Sequence, residues 1–366
     1  MIIGIDGNEA NLTTRVGVGQ FAYNLLTNLY LSDTSNQYYI YLKDQPLSDM
    51  PKNRDNWHYC VFGPKKLWTK IALPFHLYTD NIKLDLFFSP SHYSPHFSPF
   101  PTIPTIHDLG YLSTGDQFTK KDLYQLTEWT KHSLKKATHI IAVSQFTKNE
   151  INRIYGINLN KISVVSNGVG EIPKISTKNS AAVMTKFNIT KPYFLYLGTL
   201  KPSKNLPFLI STFAKYLRHT HTDQYLVIAG KKGWLFDEIF NTVKKENIES
   251  SVVFTDYITE SEKWVLYQKA IATVLPSLYE GFGMPAIESQ KAGTPVIASF
   301  IPAFREVLDG YAIYINPTNP NGLVNAFMEI QNPQIRKILA NYGLDRSKKY
   351  TWTSSALSLL AVFNKL

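Results

Sequence analysis

Residues 276–299 read PSLYEGFGMPAIESQKAGTPVIAS, a loop rich in glycine that opens a short helix, with Glu280 and Glu288 separated by seven residues. Residues 272–276 before it are a continuous apolar run ending at a proline, as expected of a parallel strand buried on both faces. Gly281 and Gly283 flank Phe282 and supply the backbone freedom that a sharp strand-to-helix turn needs. Pro285 suits the first helical turn, where its missing N–H would have no intrahelical partner. Gly293 and Pro295 end the helix after about two turns, and residues 296–298 restore a strand. This arrangement aims the amides of Gly283, Met284 and the residues after Pro285 at the carboxyl edge of a sheet, where hydrogen bonding and the helix dipole both favour a phosphate. Glu280 lies before the helix and Glu288 about one turn inside it. The first can meet a sugar beyond the phosphate, and the second can accept from ribose hydroxyls. The simpler alternative for Glu288 is a first-turn carboxylate that complements the dipole.

The whole string, with Glu280, Gly281, Phe282, Gly283, Pro285, Glu288, Gly293 and Pro295 in place, resembles the donor-site signature of the retaining GT-B glycosyltransferases of family 4. The resemblance implies an α/β protein of two Rossmann-like doubly wound domains facing each other across a cleft. It also implies a nucleotide-sugar donor held mainly by the second domain and an acceptor met by the first.

Composition agrees with such a chain. A length of 366 residues suits two domains, each with its own core, and 44% apolar residues with 18% charged residues exclude a disordered polymer. Cys60 is the single cysteine, which excludes an intramolecular disulfide framework and fits a reducing compartment. Met1 leads straight into an apolar strand and no apolar run reaches transmembrane length, so the expectation is a cytoplasmic protein. The formal charge of +10 suits nucleic acid, an anionic membrane or phosphorylated ligands. No zinc spacing, helix-turn-helix signature or RNA-binding aromatic motif accompanies it, which leaves ligand and membrane and no nucleic acid.

A strand at residues 2–6, a loop from Gly7 to Gly19 and a helix near residues 20–26 form an opening βα unit. Candidate strands at 39–42, 58–62, 85–88, 103–106, 139–143 and 162–165 alternate with helical stretches. A polar stretch at 171–184 reads as a linker or hinge. A second set of strands follows at 193–197, 225–229, 252–255, 273–275, 296–298 and 312–315, which gives domains at 1–170 and 186–350. Leu67, Ile71 and Phe75 are spaced to share a helical face, with Pro74 bending or ending that helix. In residues 120–137, Leu123, Leu126, Thr130 and Leu134 fall on one face and Lys120, Lys121, Tyr124, Lys131 and Lys135 on another. These lysines, with Lys65, Lys66, Lys70 and an interfacial Trp68, suit weak docking on an anionic membrane surface. The alternative is solvated lysines on core-packed helices.

His107 ends a strand at the carboxyl edge, where open α/β sheets bind ligands, and can donate to a sugar hydroxyl or a reacting oxygen. In the resembling family a His-Asp pair at this place, here His107 and Asp108, contacts the donor sugar. Gly17 and Gly19 alone read as an ordinary loop. Taken with the Asp-Gly-Asn-Glu-Ala run at residues 6–10, they resemble the family's loop beside the donor phosphates and the acceptor. In the run Gly198-Thr199-Leu200-Lys201-Pro202-Ser203-Lys204-Asn205, a cation and backbone amides follow a strand, which suits a diphosphate. Lys204 matches the family's phosphate lysine. Thr199 stands where many members carry arginine, and Lys201 is the candidate substitute, though a lysine does not reproduce an arginine fork. Tyr257 falls in the family's turn that touches the nucleotide base through the backbone, with Asp256 in place of a glycine. Residues 350–353 resemble the closing segment, whose helix, about 352–366, packs back on the first domain.

The resemblance therefore implies His107, Lys204 and Glu280 as catalytic residues. Donor binding falls to Gly17, Gly19, Gly198, Thr199, Lys204, Tyr257, residues 280–285 and Glu288. Lys204 and the amides after Gly283 can stabilise a leaving diphosphate. With no Asp-x-Asp and no clustered His/Cys set, no obligatory metal and no cofactor is expected. The opening run together with the loop at 198–205 looks most like bacterial mannosyltransferases of polysaccharide assembly. That implies GDP-mannose as donor and a lipid-linked or polysaccharide acceptor. The alternatives are a sugar-nucleotide 2-epimerase of the same architecture and a non-catalytic saccharide-binding subunit; retention of Glu280, Glu288 and Lys204 counts against the second.

Overall fold

The computed structural model describes residues 1–112, 115 and 120–366, and the chain divides into two units, Met1–Gly168 with Thr351–Leu366, and Val169–Tyr350. The first unit holds β1 (Ile2–Asp6), β2 (Gln37–Leu42), β3 (Trp57–Val61), β4 (Leu86–Ser89), β5 (Thr102–Ile106), β6 (Ile140–Ala142) and β7 (Ile162–Val164). They form one parallel seven-stranded sheet in the order β3-β2-β1-β4-β5-β6-β7. The chain works outward from β1 to β3, then crosses to β4 and works outward the other way. The order reverses between β1 and β4. Every residue of β4 and β5 is buried, which is why these strands read as unbroken apolar runs.

Helix Val18–Ser32 begins two residues before Gln20, which puts Gly19 in its first turn and not in the loop. It packs against helix Trp352–Phe363, with the Phe21 ring edge-on to Trp352 at 6.0 Å. Thr351 opens that last helix with a capping box to Ser354, and Ser144 caps helix Gln145–Tyr155 by accepting from the Thr147 N–H at 3.0 Å.

Residues 64–79 differ from the helix expected there. A π-helical turn at Trp68–Ala72 precedes helix Leu73–Thr79, and Pro74 sits in the first turn of that helix, where its missing N–H leaves no bond unmade. Pro74 therefore starts the helix; it neither bends nor ends one. The wide i+5 turn rotates the register. Trp68, Ala72, Leu73 and Leu77 face the core, while Leu67, Ile71 and Phe75 share the outward face, 49%, 56% and 70% exposed. Helix Lys120–Lys136 follows its pattern. Thr130 and Leu134 are buried, Leu123 and Leu126 pack on the same cluster, and Lys120, Lys121, Tyr124, Lys131 and Lys135 are exposed.

The second unit repeats the architecture with β8 (Tyr193–Leu197), β9 (Tyr225–Ala229), β10 (Val252–Asp256), β11 (Ala272–Leu275), β12 (Val296–Ser299) and β13 (Ile313–Ile315). These six strands are parallel in the order β10-β9-β8-β11-β12-β13, and the order reverses between β8 and β11. Phe194 of β8 meets Phe213, Tyr216 and Phe327 at ring separations of 6.3, 6.0 and 4.5 Å. Each such buried ring contributes about 1.5–3 kcal/mol by the area it removes from water. Residues 171–184, polar enough to suggest a linker, lie in this unit and carry most of helix Thr177–Lys186. Ser176 caps it by accepting from the Asn179 N–H at 3.1 Å, and Val183 is its buried anchor, so the polar composition is that of a solvated helix face. No described helix is long and apolar enough to cross a membrane.

Candidate functional site

Open α/β sheets leave a crevice beyond the carboxyl ends of the two strands between which the order reverses, because the loops there diverge to opposite faces. In the second unit those strands are β8 and β11, and the loops beyond them are residues 198–205 and 276–283. The two loops are stitched together. Asn205 Nδ2 donates to the carbonyls of Pro276 at 3.2 Å and Pro317 at 2.9 Å, and the Leu278 N–H donates to Ser203 O at 2.9 Å. The stitching brings Lys204 Nζ to 2.5 Å from Glu280 Oε1, which also accepts from Ser277 Oγ at 2.7 Å. Only 16% and 13% of the two charged side chains is exposed. Both partners sit on Oε1, and Glu280 Oε2 has no partner among the described residues.

Gly283 precedes helix Met284–Lys291 with φ +93°, and a Cβ there would come within 2.5 Å of Phe304 Cε1. Left-handed backbone and lack of space both require glycine. The Ala286 N–H donates to Gly283 O at 2.9 Å, so among the amides after Pro285 this one is already engaged. Phe282 is 4% exposed with its ring edge-on to Tyr350 at 5.5 Å, so it offers a ligand only its backbone. Glu288 is held on both oxygens, Oε1 by Lys263 Nζ at 2.7 Å and Oε2 by Tyr267 OH at 3.1 Å. Burial draws Lys263 down, but Glu288 and Glu260 outweigh it and the net shift is upward. Burial and then Glu288 push the Tyr267 phenol well up, so it remains a donor. A carboxylate has about four lone-pair sites, so Glu288 keeps capacity for hydroxyl donors.

Lys201 does not share Glu280. Its Nζ stands 5.3 Å from the centre of the Trp234 ring. The Thr199 carbonyl accepts from Tyr196 OH at 3.3 Å, and the Gly198 N–H donates to Ala229 O at 2.9 Å. Tyr257 follows β10 at the same carboxyl edge of the sheet, two strand positions from β8, and is 52% exposed. Asp256 before it has φ +55°, the conformation that the family's glycine adopts freely and that aspartate tolerates better than most side chains.

In the first unit the order reverses between β1 and β4. Gly17, φ +48°, caps the helix after β1, and Gly19 lies buried against the Glu9 carbonyl. Burial pushes the Asp6 carboxyl up to about 6, against hydrogen bonds from the Asn8 backbone and side chain. His107 follows β5, its Nε2 2.9 Å from the Pro90 carbonyl behind β4. A carbonyl only accepts, so Nε2 carries the hydrogen. Burial and then His92 push His107 down to about 4, so at neutral pH Nδ1 is an acceptor. In this conformation the Nε2 hydrogen that a donor role requires is committed to the Pro90 carbonyl, and Nδ1 is able only to accept.

Lys204, Glu280, Gly283 and Glu288 thus line one sheet edge, with Tyr257 farther along that same edge beyond β10, and Gly17, Gly19 and His107 line another. Four residues that sequence reasoning did not single out fix that first group: Ser277, Asn205, Lys263 and Tyr267. Lys263 and Tyr267 are spaced i, i+4 on helix Glu260–Lys269, a signal for one shared partner. Among the described residues no group of three or more His, Cys, Asp or Glu is placed to hold a metal ion.

Residues 179–346 match the family described as Glycosyl transferases group 1, and residues 51–170 match Glycosyltransferase Family 4. O-antigen chain mannosyltransferase B of Escherichia coli is 26% identical over 286 residues, covering 77% of this chain and 74% of that protein. O-antigen chain mannosyltransferase RfbU of Salmonella typhimurium is 29% identical over 252 residues, 67% of this chain and 66% of that one. Sucrose-phosphate synthase of Thermosynechococcus elongatus superposes with a TM-score of 0.78 at 19% identity, over 100% of this chain and 98% of that one, which shows the GT-B fold.

Proposed function

The chain belongs to the group 1, family 4 glycosyltransferases, and on that footing we propose that it transfers mannose from GDP-mannose, with retained configuration, onto a lipid-linked or polysaccharide acceptor. The observation that carries this reading is the Lys204–Glu280 pair at the β8/β11 crevice. A half-buried lysine already paired with a carboxylate can turn to an arriving diphosphate without any new cation entering the site. Charge on the leaving diphosphate grows in the transition state, so Lys204 lowers the barrier as well as binding the ground state. Glu280 Oε2 faces the sugar and Glu288 the ribose. The anomeric C–O bond to phosphate breaks, the acceptor oxygen bonds to the same carbon on the same face, and the acceptor's proton passes to the departing phosphate oxygen.

Mannose as the sugar is supported by the two O-antigen mannosyltransferases among the relatives. We place the enzyme in the cytoplasm at the inner face of the plasma membrane, where Lys120, Lys121, Lys131 and Lys135, all exposed, favour an anionic surface. A panel of nucleotide sugars with a lipid-linked acceptor, read by mass spectrometry, tests the reading. Mannosylated acceptor from GDP-mannose is expected. Isomerised sugar from UDP-GlcNAc alone would establish the epimerase instead, and intact donors throughout would reject transfer.

A further inference from the structure

A second cluster of bases lies in the first unit, apart from His107. Thr69, Lys70, Ser94, His96, Trp129 and His132 line a shallow pocket. The His96 and His132 rings stack at 4.0 Å, with His132 Nε2 2.9 Å from the His96 carbonyl. Lys70 Nζ stands 3.8 Å from the centre of the Trp129 ring, and no carboxylate among the described residues pairs with it. Ser94 is 8% exposed, and its Oγ has no partner among the described residues. Burial first, then His132, Lys70 and Lys136, pull the His96 ring below its ordinary range, so the charged groups bearing on it are all bases. Three bases and an orphan hydroxyl around one depression lack an anion.

The same segment supplies the apolar half of a ligand site. Lys70 and Thr69 lie in the π-helical turn, and the outward face running from it carries Leu67, Ile71, Phe75 and Tyr78, the last 60% exposed. A bare bilayer surface would account for the stripe but not for the buried Ser94 hydroxyl. Free phosphate would account for the pocket but not for the stripe. We propose that Lys70, His96, His132 and Ser94 bind the phosphate of a long-chain lipid phosphate, with its hydrocarbon lying on Ile71 and Phe75, and that this lipid is the carrier of the acceptor. The carrier role rests on the glycosyltransferase reading above; the binding site does not.

Farnesyl phosphate, titrated below its micelle concentration into the whole protein with tryptophan fluorescence as readout, tests the site. Lys70→Gln and the double variant His96→Gln/His132→Gln should each weaken binding tenfold or more. Phe75→Ser should weaken farnesyl phosphate and leave inorganic phosphate unchanged. GDP affinity should be the same in all of them, which also shows that the variants are folded. Unchanged farnesyl phosphate binding in the Lys70 and histidine variants overturns the proposal, as does farnesol or inorganic phosphate binding as tightly as farnesyl phosphate. GDP binding without farnesyl phosphate binding sinks the lipid site alone. Variant-sensitive farnesyl phosphate binding with no transfer from any donor supports the site and rejects the glycosyltransferase reading of it.

Discussion

At the β8/β11 edge of the second sheet, Lys204 meets Glu280 at 2.5 Å and Lys263 meets Glu288 at 2.7 Å, whereas at the β1/β4 edge of the first sheet burial pushes Asp6 and His107 toward their neutral forms. The two edges share a topology and differ in charge. Paired charges suit a ligand that brings its own charge, because a diphosphate can take over the lysine without leaving it unpaired. Neutral acceptors and donors suit hydroxyls. On the proposed function, the charged edge of the second unit is the one suited to the nucleotide-sugar donor, and the neutral edge of the first unit to acceptor hydroxyls.

Glu280→Gln should show the largest effect. It keeps the size of the side chain and removes the charge that holds Lys204 and that the proposal turns toward the sugar, so single-turnover transfer should fall about 10²–10³-fold, roughly 2.7–4 kcal/mol. A loss smaller than tenfold would make the pair a structural one and erase the contrast between the edges. Glu288→Gln, in the same assay, should act on nucleotide affinity more than on turnover.

Backbone changes sharpen the contrast at a smaller scale. Gly283→Ala meets both φ +93° and Phe304 at 2.5 Å, and should cost about 3 kcal/mol. Gly17→Ala has φ +48° and ψ −109°, outside the left-handed helical well, but open space, and should cost about 2 kcal/mol. Hydrogen exchange in helices Met284–Lys291 and Val18–Ser32 measures each locally. Equal costs would show that the Phe304 contact yields without strain.

The contrast also carries a pH dependence. His107 titrates at about 4 in the folded chain and near 6.5 unfolded, so the unfolded chain binds a proton in that window that the folded chain refuses. Its contribution is complete above about pH 6.5 and is lost as pH falls toward 4. Asp6, raised to about 6, has the opposite sign: the folded chain holds a proton that the unfolded chain releases, and stability falls as pH rises through that range. The parent therefore shows a shallow net slope. Removing the histidine in His107→Gln should leave the Asp6 slope, so the variant gains about 1–3 kcal/mol on the parent between pH 7 and 4. Parallel stability curves would mean that His107 is solvated and not held neutral.

How far the sequence foretold these edges follows from where each signal sits. Two parallel α/β sheets were legible because buried strands such as 193–197 and 225–229 leave unbroken apolar runs, and the GT-B architecture followed from the family resemblance of residues 276–299. The position of Gly283 was legible because a left-handed turn leaves a glycine. The partners of Glu280 and Glu288 were not, since Ser277, Lys263 and Tyr267 come from loops and helices whose spatial order only the sheet topology fixes. The outward turn of Leu67, Ile71 and Phe75 was hidden by a π-helical register shift that periodicity alone does not reveal. The partner of His107 was not legible either, since its Nε2 hydrogen is taken by a backbone carbonyl, that of Pro90, seventeen residues away in the chain.

The central claim is that Lys204, and not Lys201 or a metal, holds the donor diphosphate at the β8/β11 edge. Calorimetric titration of GDP into the parent, Lys204→Ala and Lys201→Ala proteins, all in EDTA, tests it most directly. The account predicts binding that persists in EDTA, falls about tenfold or more in Lys204→Ala, at least 1.4 kcal/mol, and changes far less in Lys201→Ala. Equal losses in the two variants, or binding that vanishes in EDTA and returns with magnesium, would contradict it.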